Sequence, residues 1–99
     1  MTKMNEYFDT AMEAWSMMQK TEGDEGAEWA ERFERYFYEF ISELKFWWTE
    51  LDEKPVTVEE VEELPIIQNF AQRIPGPVYI TFITELEDIM DGFDTSRFD

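Results

Sequence analysis

The chain has 99 residues and a formal net charge of −16, from 24 acidic and 8 basic side chains, and it contains neither cysteine nor histidine. This composition excludes disulfides, the usual zinc and haem ligand sets, and the Ser-His and Cys-His pairs of nucleophilic enzymes. The length predicts one domain over residues 1–99, and an aromatic content of 17% argues against a disordered chain.

The first predicted element is a helix over residues 4 to about 20. Apolar side chains recur there at the spacing of a helix face, namely Met4, Tyr7, Phe8, Ala11, Met12, Trp15 and Met18. A turn over 21–26 follows, and Asp24 is the expected N-cap of the next helix. Because the connection is short, we expect the two helices to pack antiparallel through their apolar faces.

The second predicted helix, over about 24–53, is the longest and holds more than half of the aromatic residues. It should end before Pro55, because proline disfavours helical geometry in the residue before it. At 100° per residue its large apolar side chains fall on an arc of about 140°, namely Trp29, Phe33, Tyr36, Phe37, Phe40, Ile41, Leu44, Trp47, Trp48 and Leu51. We expect the other helices to cover this arc, which is also wide enough to suit a symmetric homodimer around Trp47 and Trp48.

A third helix is predicted to begin after Thr57. Thr57 and Glu60 have the spacing of a capping box, in which each side chain bonds to the backbone of the other residue. Val56 and Val61 have the spacing of the hydrophobic staple that often accompanies such a box.

Prolines divide the rest of the chain. Pro65 either kinks the third helix or begins a second short one, and the Pro-Gly-Pro sequence at 75–77 is the firmest break. Residues 78–84 have the composition of a strand, yet apolar side chains continue through them at helical spacing. We choose a helix, because a single strand would have no partner within the chain. This helix should end at Gly92, which leaves 93–99 as a tail.

Together these elements predict an all-α fold, a compact bundle of four or five helices around the long aromatic-rich helix. No apolar run approaches the ~18 residues that a membrane span needs, and the N-terminal residues lack the pattern of a secretion signal. We therefore expect a cytoplasmic protein that does not bind membranes.

Acidic residues gather on the back and at both ends of the long helix and at the end of the last one. Carboxylates at a helix C-terminus oppose the macrodipole, at a cost of about 0.3–1 kcal/mol each, so helix stability does not account for them. Side chains one turn apart lie about 5–6 Å from each other, a spacing near that of successive phosphates along a nucleic-acid strand. Two aromatic residues project from the same acidic side, where they resemble the anchor of a protein interface. The candidate partner-binding residues are therefore Asp24, Glu25, Glu28, Glu31, Glu34, Tyr38, Glu39, Glu43, Phe46, Glu50, Asp52, Glu53, Asp88 and Asp91.

These features predict an acidic inhibitor that binds a basic nucleic-acid-handling protein and blocks its groove by mimicking phosphate charge. Such a charge repels nucleic acid itself and accelerates encounter with basic partners. A small, strongly acidic protein of this kind suits a phage-encoded inhibitor of the anti-CRISPR or anti-restriction type, acting in the host cytoplasm. An immunity protein or antitoxin that neutralises a basic nuclease toxin is the alternative. A passive, highly charged surface without a partner would have the same composition.

An enzyme is a further alternative. The pattern Glu60-x-x-Glu63 followed by Glu85-x-x-Asp88 resembles that of the all-α nucleotide pyrophosphohydrolases of the MazG type. The resemblance covers these four positions and would imply magnesium held against a triphosphate. Apart from it, we expect no metal site, no cofactor and no enzymatic activity.

Overall fold

The computed structural model describes residues 2–92, and the predicted tail 93–99 lies outside them. The described residues form five helices and no strand: α1 (Thr2–Lys20), α2 (Gly23–Thr49), α3 (Val58–Glu62), α4 (Pro65–Ala71) and α5 (Gly76–Asp91). The predicted all-α fold and its number of helices are confirmed. The chain divides into two compact units, Met1–Thr49 and Glu50–Asp99, and the single domain over 1–99 stays a prediction.

The first unit is a pair of antiparallel helices, as predicted. The ring of Phe8 in α1 meets that of Phe40 in α2 edge-on, with centroids 5.0 Å apart, and Trp15 lies 5.2 Å from Phe33. The two contacts are seven residues apart on each helix, but they follow one another in opposite directions along α1 and α2. The helices are therefore antiparallel. The buried residues of the two helices are Met4, Phe8, Ala11, Ala14, Phe37, Phe40, Ile41, Leu44 and Trp48.

The start of α2 differs from the prediction. The helix begins at Gly23, so Asp24 lies in its first turn and not at the N-cap. Gly23 has a φ of 64°, in the left-handed region that glycine adopts without steric cost. The N–H of Gly26 then donates to the carbonyl of Glu22 at 3.4 Å, so the helical hydrogen bonds start two residues earlier than an N-cap at Asp24 would place them.

The end of α2 also differs, because the helix stops at Thr49 and not near residue 53. The Thr49 hydroxyl donates to the carbonyl of Phe46 at 2.7 Å, inside the last turn. A longer helix would place three more carboxylates against the negative end of its macrodipole. Glu50, Asp52 and Glu53 consequently follow the helix, and the prediction that they occupy its last turn is wrong.

In the second unit, the predicted capping box of α3 is confirmed. The Thr57 hydroxyl accepts a hydrogen bond from the Glu60 N–H at 3.2 Å, and the Glu60 carboxylate accepts one from the Thr57 N–H at 3.2 Å. The predicted staple is wrong, because Val56 is 85% exposed while Val61 is fully buried. The Val56 N–H donates to the same Glu60 carboxylate, at 3.3 Å, so this residue is held through its backbone.

Thr57→Ala is expected to lower the free energy of unfolding by about 1 kcal/mol, the usual cost of losing a helix N-cap. Urea denaturation followed by circular dichroism measures the change. Thr84→Ala is the matched control, because the Thr84 hydroxyl is exposed and bonds only back to the Ile80 carbonyl within α5. We expect that control to be neutral or slightly stabilising, since alanine is the better helix former. Equal losses in both variants would contradict the capping assignment.

The two remaining helices resolve the alternatives left by the prolines. Pro65 begins a separate helix, α4, in whose first turn its missing N–H costs nothing. Residues 78–84 lie within α5, which confirms the choice of helix over strand, and Gly92 caps α5 with a φ of 70°. The buried residues of the second unit are Val61, Ile67, Phe70, Ile74, Val78, Phe82, Leu86 and Ile89.

A polar bond joins α5 to α3 beside this core. The Tyr79 hydroxyl donates to the Glu62 carboxylate at 2.5 Å. The pKa of Tyr79 lies above its ordinary value of 10.0, first because of this bond, then because of partial burial, and last because of the negative charge of Glu62. The raised pKa therefore keeps the phenol a hydrogen-bond donor to a more alkaline pH than an ordinary tyrosine.

Candidate protein-interaction surface

The acids predicted on the back of α2 are solvent-exposed along its N-terminal part. The exposed members are Asp24, Glu25, Glu28, Glu31, Glu34 and Glu39. We call the row Asp24, Glu28, Glu31 and Glu34 the acidic face of α2, since these residues are exposed and follow one another at intervals of three and four. Glu43 departs from the prediction, because it is half-buried. At 100° per residue it lies only about 60° from the buried Phe40, at the edge of the apolar arc.

Tyr38 and Phe46 are exposed, as the helix periodicity predicted, at 46% and 68% of their surfaces. They lie eight residues apart, which is about 12 Å along the helix axis. Phe46 lines a shallow groove of about 340 Å³ together with Ser42, Lys45 and Thr49. None of these lining residues is acidic, whereas the sequence predicted an acidic rim.

The other predicted acids belong to the second unit. Glu50, Asp52 and Glu53 are exposed in the segment between α2 and α3, and Asp88 and Asp91 are exposed on the last two turns of α5. A second groove, of about 390 Å³, combines acidic and apolar lining residues, namely Val56, Val58, Glu87, Asp88, Met90 and Asp91. The acids at the end of α5 therefore adjoin apolar surface that the sequence interpretation did not include.

Two exposed apolar side chains were missed from the sequence. The capping-box spacing predicts a buried staple for Val56, which is 85% exposed, and the predicted interaction surface omits Ile80, which is 74% exposed. The periodicity of α5 carried the signal for Ile80, since this residue lies about 160° around the helix from the buried Phe82 at 100° per residue. The sequence around Val56 does not predict its exposure, because this exposure depends on the path of the backbone before α3.

The surface proposed for a homodimer is smaller than expected. Trp48 is only 8% exposed within the single chain, and Trp47 is half-buried. The centroids of the two indole rings lie 6.4 Å apart. The predicted homodimer would therefore depend mainly on Trp47.

The four positions of the pyrophosphohydrolase-like pattern do not form a metal site among residues 2–92, where no group of three or more acidic residues is placed to hold a metal ion. For one of the four positions, Glu60, its hydrogen bonds give the physical reason. Its carboxylate accepts hydrogen bonds from the backbone of Val56 and Thr57 and from the Thr57 hydroxyl, which turn it toward the start of α3. None of the helices in the described range is long and apolar enough to cross a membrane.

No family model, no curated protein and no solved structure matches this chain. The function must therefore be argued from the surface itself.

Proposed function

We propose that this protein is an acidic inhibitor that binds a basic nucleic-acid-handling protein and occupies the groove in which that protein holds nucleic acid. The observation that carries the proposal is the acidic face of α2, whose carboxylates are exposed and regularly spaced on one continuous helix. Adjacent members lie about 5–6 Å apart. A rigid helix presents them without the ordering cost that a flexible acidic tail would incur on binding.

The energetic basis is electrostatic. When a nucleic-acid groove is empty, its basic side chains repel one another or hold condensed anions. A complementary acidic surface removes the repulsion between these side chains. Association is then fast, because the net charge of −16 steers a basic partner toward the protein. Such binding weakens as salt rises, as it does for nucleic acid itself.

An immunity protein or antitoxin directed against a basic nuclease is the second candidate. The exposed Phe46 favours it, because a large aromatic side chain next to a groove is typical of an interface hot spot. The two candidates differ in salt response, since an aromatic anchor keeps its affinity at salt concentrations that screen exposed charges.

The biological setting follows from the proposed chemistry. A small acidic inhibitor of this kind suits a phage-encoded antagonist of a host nuclease, such as an anti-CRISPR or anti-restriction protein, and its place of action would be the host cytoplasm. This setting depends entirely on the identity of the partner.

The test is capture of the partner from nuclease-treated lysate of the source organism on the immobilised protein, followed by elution with rising salt. An unrelated acidic protein of similar isoelectric point serves as the control column. We expect a basic nucleic-acid enzyme that is retained only by this protein and is released by competing DNA or RNA. If every retained protein also binds the control column, or if nucleic acid does not compete, the inhibitor proposal is wrong.

A further inference from the structure

Two of the few basic residues of this acidic protein meet in one groove of the first unit. The groove has a volume of about 330 Å³ and lies where α1 packs on α2. Arg32 and Arg35 line it from α2 together with Trp29 and Tyr36, and Thr10 and Glu13 line it from α1. Arg32 and Arg35 follow Glu28 and Glu31 of the acidic face by one helical turn. The proposed inhibitor function nevertheless makes no use of this groove.

One arginine and one aromatic ring of the groove are held by neighbouring rings. The Arg32 guanidinium lies 4.8 Å from the centroid of the Trp29 ring, a cation–π arrangement that restrains its long side chain. The Tyr36 ring packs against Tyr7, with centroids 6.2 Å apart. Both arginines are exposed, so their guanidinium groups are accessible to a ligand.

We propose that this groove binds a small ligand that joins one phosphate to a planar ring, of the class of nucleoside monophosphates. Arginines three residues apart project from the same side of a helix, and guanidinium groups bind phosphate oxygens through paired hydrogen bonds. Tyr36 offers an aromatic surface for the ring, and the Glu13 carboxylate accepts hydrogen bonds from ring N–H groups. The volume lies within the range of about 300–1,000 Å³ that is usual for small-molecule sites.

The surrounding charge restricts the ligand further. Glu28 and Glu31 each lie one helical turn before an arginine of the groove, and the whole chain carries a charge of −16. Each additional phosphate on the ligand would therefore meet carboxylates and not further cations. The groove consequently selects monophosphates over triphosphates, which is the reverse of the order for an unstructured basic patch.

The experiment is a titration of the full isotope-labelled chain with AMP, GMP, CMP and UMP, followed by nuclear magnetic resonance of the Trp29 indole N–H and the arginine side chains. We expect at least one monophosphate to saturate these signals with a dissociation constant of about 1 mM or lower, in the range of weak small-ligand binding. The matching nucleoside, inorganic phosphate and the matching triphosphate should each bind at least about fivefold more weakly, because each lacks a contact or adds repulsion.

Variants separate the two arginines from the net charge. The double variant R32Q/R35Q should lose at least about tenfold in affinity, because it removes both phosphate donors. Lys3→Gln with Lys20→Gln removes the same charge from exposed positions of α1 and should leave the affinity within about twofold. R32K/R35K keeps the charge but loses the paired geometry, so it should bind about as weakly as the glutamine variant.

Several results would overturn this assignment. One is the absence of a saturable shift with all four monophosphates at about 10 mM, well above the expected dissociation constant. Another is equal or tighter binding of the triphosphate or of inorganic phosphate, which would indicate an ordinary anion effect. Equal losses in R32Q/R35Q and in the control variant Lys3→Gln with Lys20→Gln would likewise contradict it. None of these readouts involves the protein partner, so this site and the inhibitor proposal fail independently.

Discussion

Replacing Phe40 with alanine is expected to lower the free energy of unfolding by about 3–5 kcal/mol, the usual cost of deleting a buried phenyl ring. Phe40 is fully buried, and its ring contacts Phe8 edge-on at 5.0 Å and Phe37 at 6.1 Å. The deletion leaves a cavity that neighbouring rings fill only in part. Because a small domain is stable by only about 5–15 kcal/mol in total, urea should unfold this variant at a much lower concentration.

Phe46→Ala is the matched control for this prediction. It makes the same chemical change on the same helix, six residues further along, at a side chain that is 68% exposed. Surface changes of this kind usually alter stability by no more than about 0.5 kcal/mol. If the two variants unfold at the same urea concentration, the burial of Phe40 and the assignment of the inner and outer sides of α2 are both wrong.

The fold was predictable where the determining interactions are local. Thr57 and Glu60 satisfy each other within three residues, so the capping box is visible in the sequence and present in the structure. Gly92 ends α5 for a similarly local reason, because glycine readily adopts the left-handed conformation of a helix cap. The choice of helix for 78–84 depended on periodicity continuing into residues that could not form a sheet alone.

The sequence predictions were wrong where the structure depends on small free-energy differences or on contacts between residues far apart in the sequence. The end of α2 depends on capping and dipole effects of about 1 kcal/mol or less per residue, and the sequence did not show that Thr49 would close the helix. Its residue type predicts Glu43 on the acidic side, although its angular position on the helix borders the apolar arc. The staple at Val56 required a chain path that local spacing does not fix.

The candidate surface was predictable in part for the same reasons. The helix periodicity placed Tyr38, Phe46 and the acidic face on the solvent side, and the structure agrees. It could not show that Thr10 and Glu13 of α1 would lie beside Arg32 and Arg35, because that pairing depends on the register between two helices. The groove of the arginines therefore became visible only in three dimensions.

The largest expected effect on binding comes from the acidic face of α2. The triple variant Glu28→Gln, Glu31→Gln, Glu34→Gln should bind the captured partner on the order of 100-fold more weakly at low salt. A pair of opposite charges at 4 Å contributes about 1 kcal/mol in water and more near a protein surface, so three lost contacts remove about 3 kcal/mol or more. The deficit should shrink as salt rises, because screening and counterion release weaken the same contacts in the unaltered protein.

A second triple variant separates an ordered face from net charge alone. Glu6→Gln, Glu59→Gln and Glu63→Gln remove the same three charges from exposed positions outside that face. Surface plasmon resonance with the partner should show a loss of no more than about threefold, mainly in the association rate, because distant charges act through long-range steering. Equal losses in the two triple variants would mean that the carboxylates act only through the total charge.

The same measurement decides between the two classes of inhibitor, because it reports dissociation separately from association. Tyr38→Ala with Phe46→Ala retains every carboxylate. If the aromatic pair is a hot spot, affinity should fall about 30-fold, equivalent to about 2 kcal/mol, through faster dissociation and at all salt concentrations. A loss below about twofold would leave the acidic face as the sole determinant. The phosphate-mimicking inhibitor would then be favoured over an aromatic-anchored immunity protein, because the exposed ring of Phe46 would have no energetic role in the complex.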